Sequence, residues 1–238
     1  MLVTTQGIVL QTTKYSDHSL IVKIFTRKSG TVSFIIKNAF SKKSKQPASF
    51  FAPLTILDII YNETDTENLK FLKEVGIAHP FHAGHLDIRK NSILLFYHEL
   101  LLKLLYQATA PDEVLFDFMV DELLKLDATP EVAPDFHIVF LIHLVQQLGY
   151  KPDANFSLHA PYFSIEDSHF GSVFADNSYY LSKEASYYLF TILKKQNHST
   201  PDKKTRMELL NGMILYLMKY HKQIKEIESV AILAEVLR

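Results

Sequence analysis

The hydrophobic pattern of this 238-residue chain changes from a strand-like period to a helix-like period near His79-Pro80. Before that point, β-branched and aromatic residues form short runs that turns and loops separate. After it, apolar residues recur at intervals of three and four, as they do on an amphipathic helix. Because one element cannot satisfy both periods, we expect two domains, a β-rich domain over residues 1–80 and a larger helical domain over residues 81–238.

Five strand-like runs precede the change of period. They are Gln6–Thr12, Leu20–Thr26, Thr31–Lys37, Leu54–Tyr61 and Leu69–Ile77. Gly30 ends the turn between the second and third runs, where a tight hairpin favours a residue with positive φ. Asn38–Ser49 has no periodicity and is predicted to be a basic loop. Five short strands with one long loop fit a five-stranded OB-fold barrel, although an SH3-like barrel has the same strand count.

The remainder of the chain has the apolar spacing and the end signals of helices. The predicted helices are Ser92–Gln107, one opening at Pro111-Asp112-Glu113, Asp135–Leu148, Lys183–Lys194, Lys203–Tyr220 and Val230–Leu237. Gly149 and Pro152 follow the third helix as a C-cap glycine and a helix-stopping proline. Asp153–Tyr180 is predicted to be irregular. The fold class is therefore α+β, with an N-terminal OB-fold barrel and a larger α-helical domain.

Charge is distributed unevenly along the chain. Residues 1–50 contain eight basic residues and one acidic residue, a net charge of +7, so the other 188 residues carry −8 of the total −1. This asymmetry favours a cationic surface for a polyanion beside a separate acidic body. The alternative is a lysine-rich face that is merely solvated.

A single-strand binding site needs cations for phosphates and exposed rings on which bases stack. Within Thr31–Lys37, Val32, Phe34 and Ile36 share one face, so Phe34 is expected in the core and Phe40 becomes the better stacking candidate. The residues predicted to contact DNA are Lys14, Arg27, Lys28, Lys37, Phe40, Lys42, Lys43 and Lys45. Three of these lysines lie in the basic loop, where burial does not compete for them.

Nothing in the sequence indicates catalysis. The chain has no Cys, which excludes disulfides and thiolate metal sites and favours an intracellular setting. It has no phosphate-binding loop, dinucleotide fingerprint or nucleophile elbow. His79, His82 and His85 have a spacing that could bind zinc, but a His-rich linker is the favoured interpretation. No run is apolar enough to span a membrane. We expect a soluble non-enzyme without metal or cofactor.

The order of these features resembles the RecO family of bacterial recombination mediators. The residues that carry the resemblance are, in chain order, Gly7-Ile8-Val9-Leu10, Tyr15-Ser16-Asp17, Phe25-Thr26, Arg27-Lys28-Ser29-Gly30, Lys37-Asn38-Ala39, Tyr97-His98-Glu99-Leu100, Leu148-Gly149-Tyr150-Lys151-Pro152 and Arg206 with Tyr216-Leu217 and His221. The chain departs from the family at two places. Residues 155–159 contain none of the cysteines of the zinc site that many members hold there, and Asn38 and Phe40 replace a Gly and an Arg of the family pattern.

The resemblance implies a DNA repair and recombination mediator in the bacterial cytoplasm, associated with the nucleoid. Such a protein would bind single-stranded and double-stranded DNA, anneal complementary strands, and help load recombinase onto DNA coated by single-strand binding protein. Its implied partners are the acidic C-terminal tail of that protein and RecR. Candidates for a groove that binds the tail are Arg89, Lys90, Lys103 and Arg206. In place of zinc, packing of Phe156, Tyr162, Phe163, Phe170 and Phe174 is expected to hold the segment after Pro152.

Two alternatives of other classes stay open. The chain could be a protein-interaction adaptor that does not bind DNA, or an OB-fold protein that binds RNA. Salt dependence of oligonucleotide binding separates the adaptor from the mediator, because phosphate contacts release counterions. Matched ribo- and deoxyribo-oligomers test the RNA alternative.

Overall fold

The computed structural model of the chain describes residues 1–63, 69–81, 87–172, 179–197 and 199–237. The chain divides into two compact units, Met1–Thr129 and Pro130–Arg238. The first unit thus contains the β-rich segment and also the two helices that follow it. The predicted domain boundary after residue 80 stays a prediction, because a division into compact units does not test where one domain ends and the next begins.

The first unit is built on a five-stranded antiparallel sheet. Its strands are β1 (Leu2–Lys14), β2 (Ser19–Thr26), β3 (Gly30–Lys37), β4 (Ile56–Asn62) and β5 (Leu72–Ile77). The strand order is β3-β2-β1-β4-β5. A parallel bridge between Phe34 and Lys70 joins β3 to the residues just before β5 and closes the sheet. This arrangement confirms the predicted OB-like barrel, and each strand begins or ends within a few residues of its expected bounds.

A β-bulge in β1 lets the barrel pack on both of its sides. Val9 pairs with Ile24 and Gln11 with Lys23, so Leu10 is an extra residue without a partner in β2. Ile8, Val9 and Leu10 are all fully buried, although alternation with one buried face would expose either Val9 or its two neighbours. Val9 belongs to the barrel interior. The Leu10 carbonyl accepts a hydrogen bond from His98 Nε2 at 2.7 Å.

Two helices cover the outer side of the barrel. They are α1 (Ile88–Leu105) and α2 (Glu113–Ala128). The side chains of Asp87 and Asp112 cap their first turns, as expected for N-cap aspartates. Phe25 of β2 lies with its ring centroid 5.8 Å from that of Phe116 on α2. The barrel therefore has an apolar interior and a second apolar layer beneath the helices.

The segment after α1 is fastened to the β2–β3 hairpin. The backbone N–H of Thr31 donates to the Ala108 carbonyl at 2.7 Å, and its hydroxyl donates to the Leu105 carbonyl at 2.7 Å. The Lys23 ammonium donates to the Tyr106 carbonyl at 3.1 Å and lies 3.4 Å from the centroid of the Tyr106 ring. These contacts satisfy carbonyls at the C-terminal end of α1. They also cover the hairpin from the residue after its turn, Thr31, to Lys23 in the middle of β2.

The described residues of the second unit form four helices and a small hairpin. Its elements are α3 (Phe136–Gln147), β6 (Tyr162–Phe163), β7 (Phe170–Gly171), α4 (Lys183–Leu193), α5 (Lys203–Tyr220) and α6 (Ser229–Val236). Gly149 follows α3 with φ of +88°, as the predicted C-cap requires. Over residues 153–172 and 179–180, the described part of the stretch predicted to be irregular, the prediction is correct apart from the short strands β6 and β7.

Aromatic packing holds the segment after Pro152, as the sequence predicted. The Phe156 ring lies 5.7 Å from Phe170 and 5.2 Å from Phe190 between centroids, and Phe163 lies 5.1 Å from Phe170. The Asn155 side chain donates to the Phe170 carbonyl at 3.1 Å and accepts from the Phe170 N–H at 2.9 Å. It therefore pairs with that residue as a neighbouring strand would. Phe174, also expected here, lies outside the described residues.

Buried polar groups connect the helices of the second unit. Tyr188 on α4 donates a hydrogen bond to the buried carboxylate of Asp135. Arg206 on α5 donates to the carbonyls of Pro201 at 2.8 Å and Leu237 at 3.2 Å, so it fastens the C-terminal segment. Burial lowers the pKa of His137 to about 4 from the usual 6.5.

The depressed pKa of His137 makes the stability of the protein depend on pH. Between pH 6.5 and 4 the unfolded chain binds a proton at this site that the folded chain does not, so stability falls as the pH falls. We expect a loss of about 2.5 kcal/mol between pH 7.5 and 4.5 from this residue. Urea unfolding at both pH values, compared between the wild type and His137→Asn, should show a smaller loss in the variant. An equal loss would contradict the assignment.

Candidate nucleic-acid interface

The residues predicted to contact DNA fall into two groups at opposite ends of the β2–β3 hairpin. Ser19 pairs with Lys37 at one end, and Thr26 pairs with Gly30 at the other. The ends are seven residues apart along β2, about 23 Å at the usual rise of a strand. Arg27 and Lys28 lie at the turn of this hairpin. The remaining six form the loop-end cluster, which consists of Lys14, Lys37, Phe40, Lys42, Lys43 and Lys45.

Hydrogen bonds hold the basic loop Asn38–Ser49 in place although it has little regular structure. The buried residue Ala39 donates its N–H to the His18 carbonyl at 3.0 Å and accepts from the Ala48 N–H at 2.9 Å. The Gln46 side chain donates to the Leu72 carbonyl at 3.0 Å. The loop is therefore attached to the β1–β2 turn, to itself and to the beginning of β5. A ligand that binds there meets a preformed surface.

The loop lysines are available to phosphate. Lys42, Lys43 and Lys45 are exposed, and across residues 1–63, 69–81 and the other described ranges no carboxylate lies within 4.0 Å of their ammonium groups. Lys14 does pair with Asp17 at 3.0 Å, but both partners are mostly solvated, and such pairs contribute little. The Lys37 ammonium lies 4.9 Å from the centroid of the Phe71 ring. This end of the barrel therefore presents uncompensated positive charge.

The hairpin turn presents a different environment. Arg27 donates from Nε and Nη2 to the two carboxylate oxygens of Asp117, at 2.8 and 2.9 Å. Its Nη1 lies 2.6 Å from Oε2 of Glu113. These hydrogen bonds lower the pKa of Asp117. Lys28 donates to the Thr4 carbonyl at 2.9 Å. Acceptors of the same unit already hold Arg27 and Lys28, so these two cations are weaker candidates for DNA contact than the lysines of the loop-end cluster. Their contact with DNA stays a prediction.

The aromatic residues at the loop end divide as side-chain parity predicts. Phe34 is fully buried, with its ring centroid 5.1 Å from Tyr61, and Val32 and Ile36 point inward with it. Phe40 keeps 50% of its surface exposed beside the loop lysines. The expected assignment of Phe34 to the core is thus confirmed. The exposure of Phe40 is what a base-stacking role requires.

Sequence reasoning missed the aromatic side chain of Phe71, which is 47% exposed. Alternation backward from the inward-facing Val75 would place Phe71 inside the barrel. A bulge prevents this, because Ile60 pairs with Glu74 while Tyr61 pairs with Leu72, and Lys73 has no partner. The parity reverses at Lys73, so Leu72 points inward and Phe71 outward. A bulge leaves no clear mark in one sequence.

The negative charge that balances the basic N-terminus lies mainly within the same unit. Residues 51–129 contain six basic and thirteen acidic residues, whereas residues 130–238 contain eleven and twelve. The first unit, Met1–Thr129, therefore sums to zero. On α2, Glu113, Asp117 and Asp121 are exposed at spacings of four, which places them on one helix face. The first unit thus carries both the basic excess of residues 1–50 and the acidic excess of residues 51–129. The prediction that the acidic excess forms a body separate from the cationic domain is not what the charge distribution shows.

The candidates for a partner groove lie on two helices. Lys90 is only 3% exposed and donates to the Asp127 carbonyl at 2.9 Å, and Lys103 pairs with Glu99 at 2.8 Å. Arg89 is exposed on α1, fourteen residues and about 21 Å from Lys103. Arg206 of the second unit is 8% exposed. The three α1 residues do not converge on one pocket, and a role in binding the tail stays a prediction.

The described residues form neither a metal site nor a membrane span. There, no group of three or more His, Asp or Glu side chains is placed to hold a metal ion. His82 and His85 of the His-rich linker lie outside those residues. Within the same ranges, every helix is too short or too polar to cross a bilayer.

Comparison with known proteins covers nearly the whole chain. The family described as Recombination protein O N terminal matches residues 1–81, and that described as Recombination protein O C terminal matches residues 85–223. The DNA repair protein RecO of Flavobacterium psychrophilum is 33% identical over 239 residues, 99% of each chain. That of Phocaeicola vulgatus is 30% identical over 218 residues, 92% of this chain and 90% of the relative.

Proposed function

This chain belongs to the RecO family of DNA repair proteins, and from that premise we propose that it binds single-stranded DNA with the loop-end cluster. The observation that carries the proposal is the fixed basic loop, on which Lys42, Lys43 and Lys45 are exposed without a carboxylate partner among the described residues. The exposed ring of Phe40 lies on the same loop. Cations beside a π-face form the combination that single-strand binders use.

Annealing follows from the same chemistry. Two complementary strands repel each other through their phosphates, and a cationic surface reduces that repulsion. Lysine ammonium groups are flexible point charges, so they bind phosphate without fixing the geometry of the strand. Stacking on Phe40 would be equally tolerant of sequence. The protein can thus hold one strand while its bases remain able to pair with another, and the lysines can also bind the backbone of duplex DNA.

The proposed role is that of a non-enzymatic mediator in DNA repair and recombination. It would help load recombinase onto DNA coated by single-strand binding protein, working with RecR at the bacterial nucleoid. An acidic tail with an apolar end needs a cationic, apolar-lined groove. Of the charged candidates for this groove, Arg89 and Lys103 are the more exposed.

An annealing assay tests the proposal. Complementary deoxyribo-oligonucleotides, each coated with single-strand binding protein, are mixed with and without the chain, and duplex formation is followed by a fluorophore and quencher pair. We expect the wild type to accelerate annealing severalfold and the Lys42→Ala, Lys43→Ala, Lys45→Ala triple variant to lose most of that acceleration. No acceleration, together with no binding to the naked strands, would favour the adaptor. Tighter binding to the matched ribo-oligomer would favour an RNA-binding protein.

A further inference from the structure

We propose that Phe71 is a second base-stacking residue of the DNA site, so that the bound strand continues from the basic loop to the beginning of β5. The inference rests on the proposed function, because it extends the same surface. It adds a residue outside the sequence-predicted set and specifies the ligand as a strand with unpaired bases.

The bulge at Lys73 is the first argument. It turns the phenyl ring of Phe71 out of the barrel at a position where regular pairing would bury it. Bulges commonly re-aim a side chain next to a binding site. An exposed aromatic ring also forgoes the burial that a phenylalanine normally gains in a core. Among the described residues the Phe71 ring pairs with no other aromatic ring, so an aromatic cluster does not account for its outward position.

The backbone around Phe71 is held on both sides. Lys70 donates its N–H to the Ser33 carbonyl and accepts from the Ile35 N–H, each at 2.9 Å. Leu72, the next residue, is buried and its carbonyl accepts from Gln46. The ring is therefore presented from a backbone that hydrogen bonds hold immediately before and after Phe71. A base that stacks on it loses little freedom on the protein side.

The surroundings of Phe71 join it to the loop-end cluster. The Lys37 ammonium lies 4.9 Å from its ring centroid, and Gln46 ties the basic loop to the adjacent residue. A nucleotide bound here could stack its base on Phe71 and direct its phosphate toward Lys37. Phe40 begins the basic loop, three residues after Lys37. In this proposal the strand runs from Phe40 past Lys37 to Phe71, so that successive bases meet two exposed rings.

The chemistry of the ring defines the ligand. A phenyl side chain has no hydrogen-bond donor or acceptor, so it reads no base edge and accepts any base. It requires an unpaired base, because the faces of bases inside a duplex are already stacked on their neighbours. Lysines bind both forms through phosphate, whereas Phe71 favours the single strand. This residue would then give the site its preference for single-stranded over duplex DNA.

A single tryptophan provides the test, since the chain has none. We expect the emission of Phe71→Trp to be quenched by a thymidine oligonucleotide and to change little with the same strand in a duplex. The matched control is Val114→Trp, because Val114 is 68% exposed on α2 next to Glu113, which binds Arg27 at the opposite end of the hairpin. Its emission should not respond. Equal responses of both reporters, or equal quenching by duplex, would overturn the inference.

Affinity measurements complete the test. Phe71→Leu keeps an apolar side chain and removes the π-face, and we expect it to weaken single-strand binding between about 5-fold and about 150-fold. The dependence on salt should be unchanged because no cation is removed. If Phe71→Leu binds single-stranded DNA as tightly as the wild type does, the role of Phe71 is refuted and the proposed function of the loop-end cluster still stands. If the wild type itself binds no DNA, both this inference and the proposed function fail.

Discussion

The triple variant Lys42→Ala, Lys43→Ala, Lys45→Ala is expected to bind a single-stranded oligonucleotide about 100-fold more weakly than the wild type at 0.1 M salt. Each lysine that neutralises a phosphate of a single strand contributes a slope of about −0.7 to the dependence of log K on log salt. At 0.1 M this corresponds to about fivefold per lysine, and three independent contacts multiply. Electrophoretic mobility shift or fluorescence anisotropy measures the change.

The control for this prediction is a variant with the same loss of charge elsewhere. Lys183, Lys203 and Lys222 are exposed in the second unit, and their replacement by alanine should change affinity far less. Thermal unfolding should be nearly unchanged in both variants, since exposed lysines contribute little to stability. Undiminished affinity of the loop variant would place the DNA site on another surface.

The Gly30→Ala variant is expected to lose about 3 kcal/mol of unfolding free energy, the largest stability effect among these predictions. Gly30 has φ of +64°, and a Cβ at this position would lie 2.6 Å from the carbonyl oxygens of Ala108 and Ala110. Both the strained backbone and the clash with other backbone atoms oppose the substitution. Urea denaturation followed by circular dichroism measures the loss.

Two other glycines separate the causes. Gly149 also has a positive φ, of +88°, but a Cβ there meets nothing within 4 Å, so Gly149→Ala should cost only about 1 kcal/mol from the backbone. Gly76 has neither the positive φ nor a close neighbour, and Gly76→Ala should change stability little. If Gly30→Ala costs no more than Gly149→Ala, the close packing of the hairpin against the segment after α1 is wrong.

Local patterns in the sequence predicted the five barrel strands and the helices of the described residues, but not the short strands β6 and β7. Alternation placed Phe34 in the core, and Pro111-Asp112-Glu113 located the beginning of α2. The beginning of α1 was predicted at Ser92, four residues late, because Asp87 was not recognised as its N-cap. These signals act over a few residues, so they survive without knowledge of the tertiary structure. The strand count and the single long loop predicted the type of barrel, whereas the strand order β3-β2-β1-β4-β5 came from the structure.

The candidate site was predicted less completely, because three of its features depend on distant contacts. Arg27 pairs with Asp117, ninety residues away, and no local pattern anticipates that partner. The bulge at Lys73 reverses the orientation of Phe71 without a sequence signal. The segment after α1 packs against Thr31, beside the hairpin turn that carries Arg27 and Lys28, and no local pattern anticipates this contact. Charge counting could not distinguish exposed lysines from those already bound.

The salt dependence of wild-type binding tests the central claim most directly. The affinity for a thymidine oligonucleotide should be measured by anisotropy between 50 and 300 mM salt. With three to five of the loop-end lysines on phosphates, the plot of log K against log salt should fall with a slope between about −2 and about −3.5. A slope near zero, or no binding at 50 mM salt, would contradict the account.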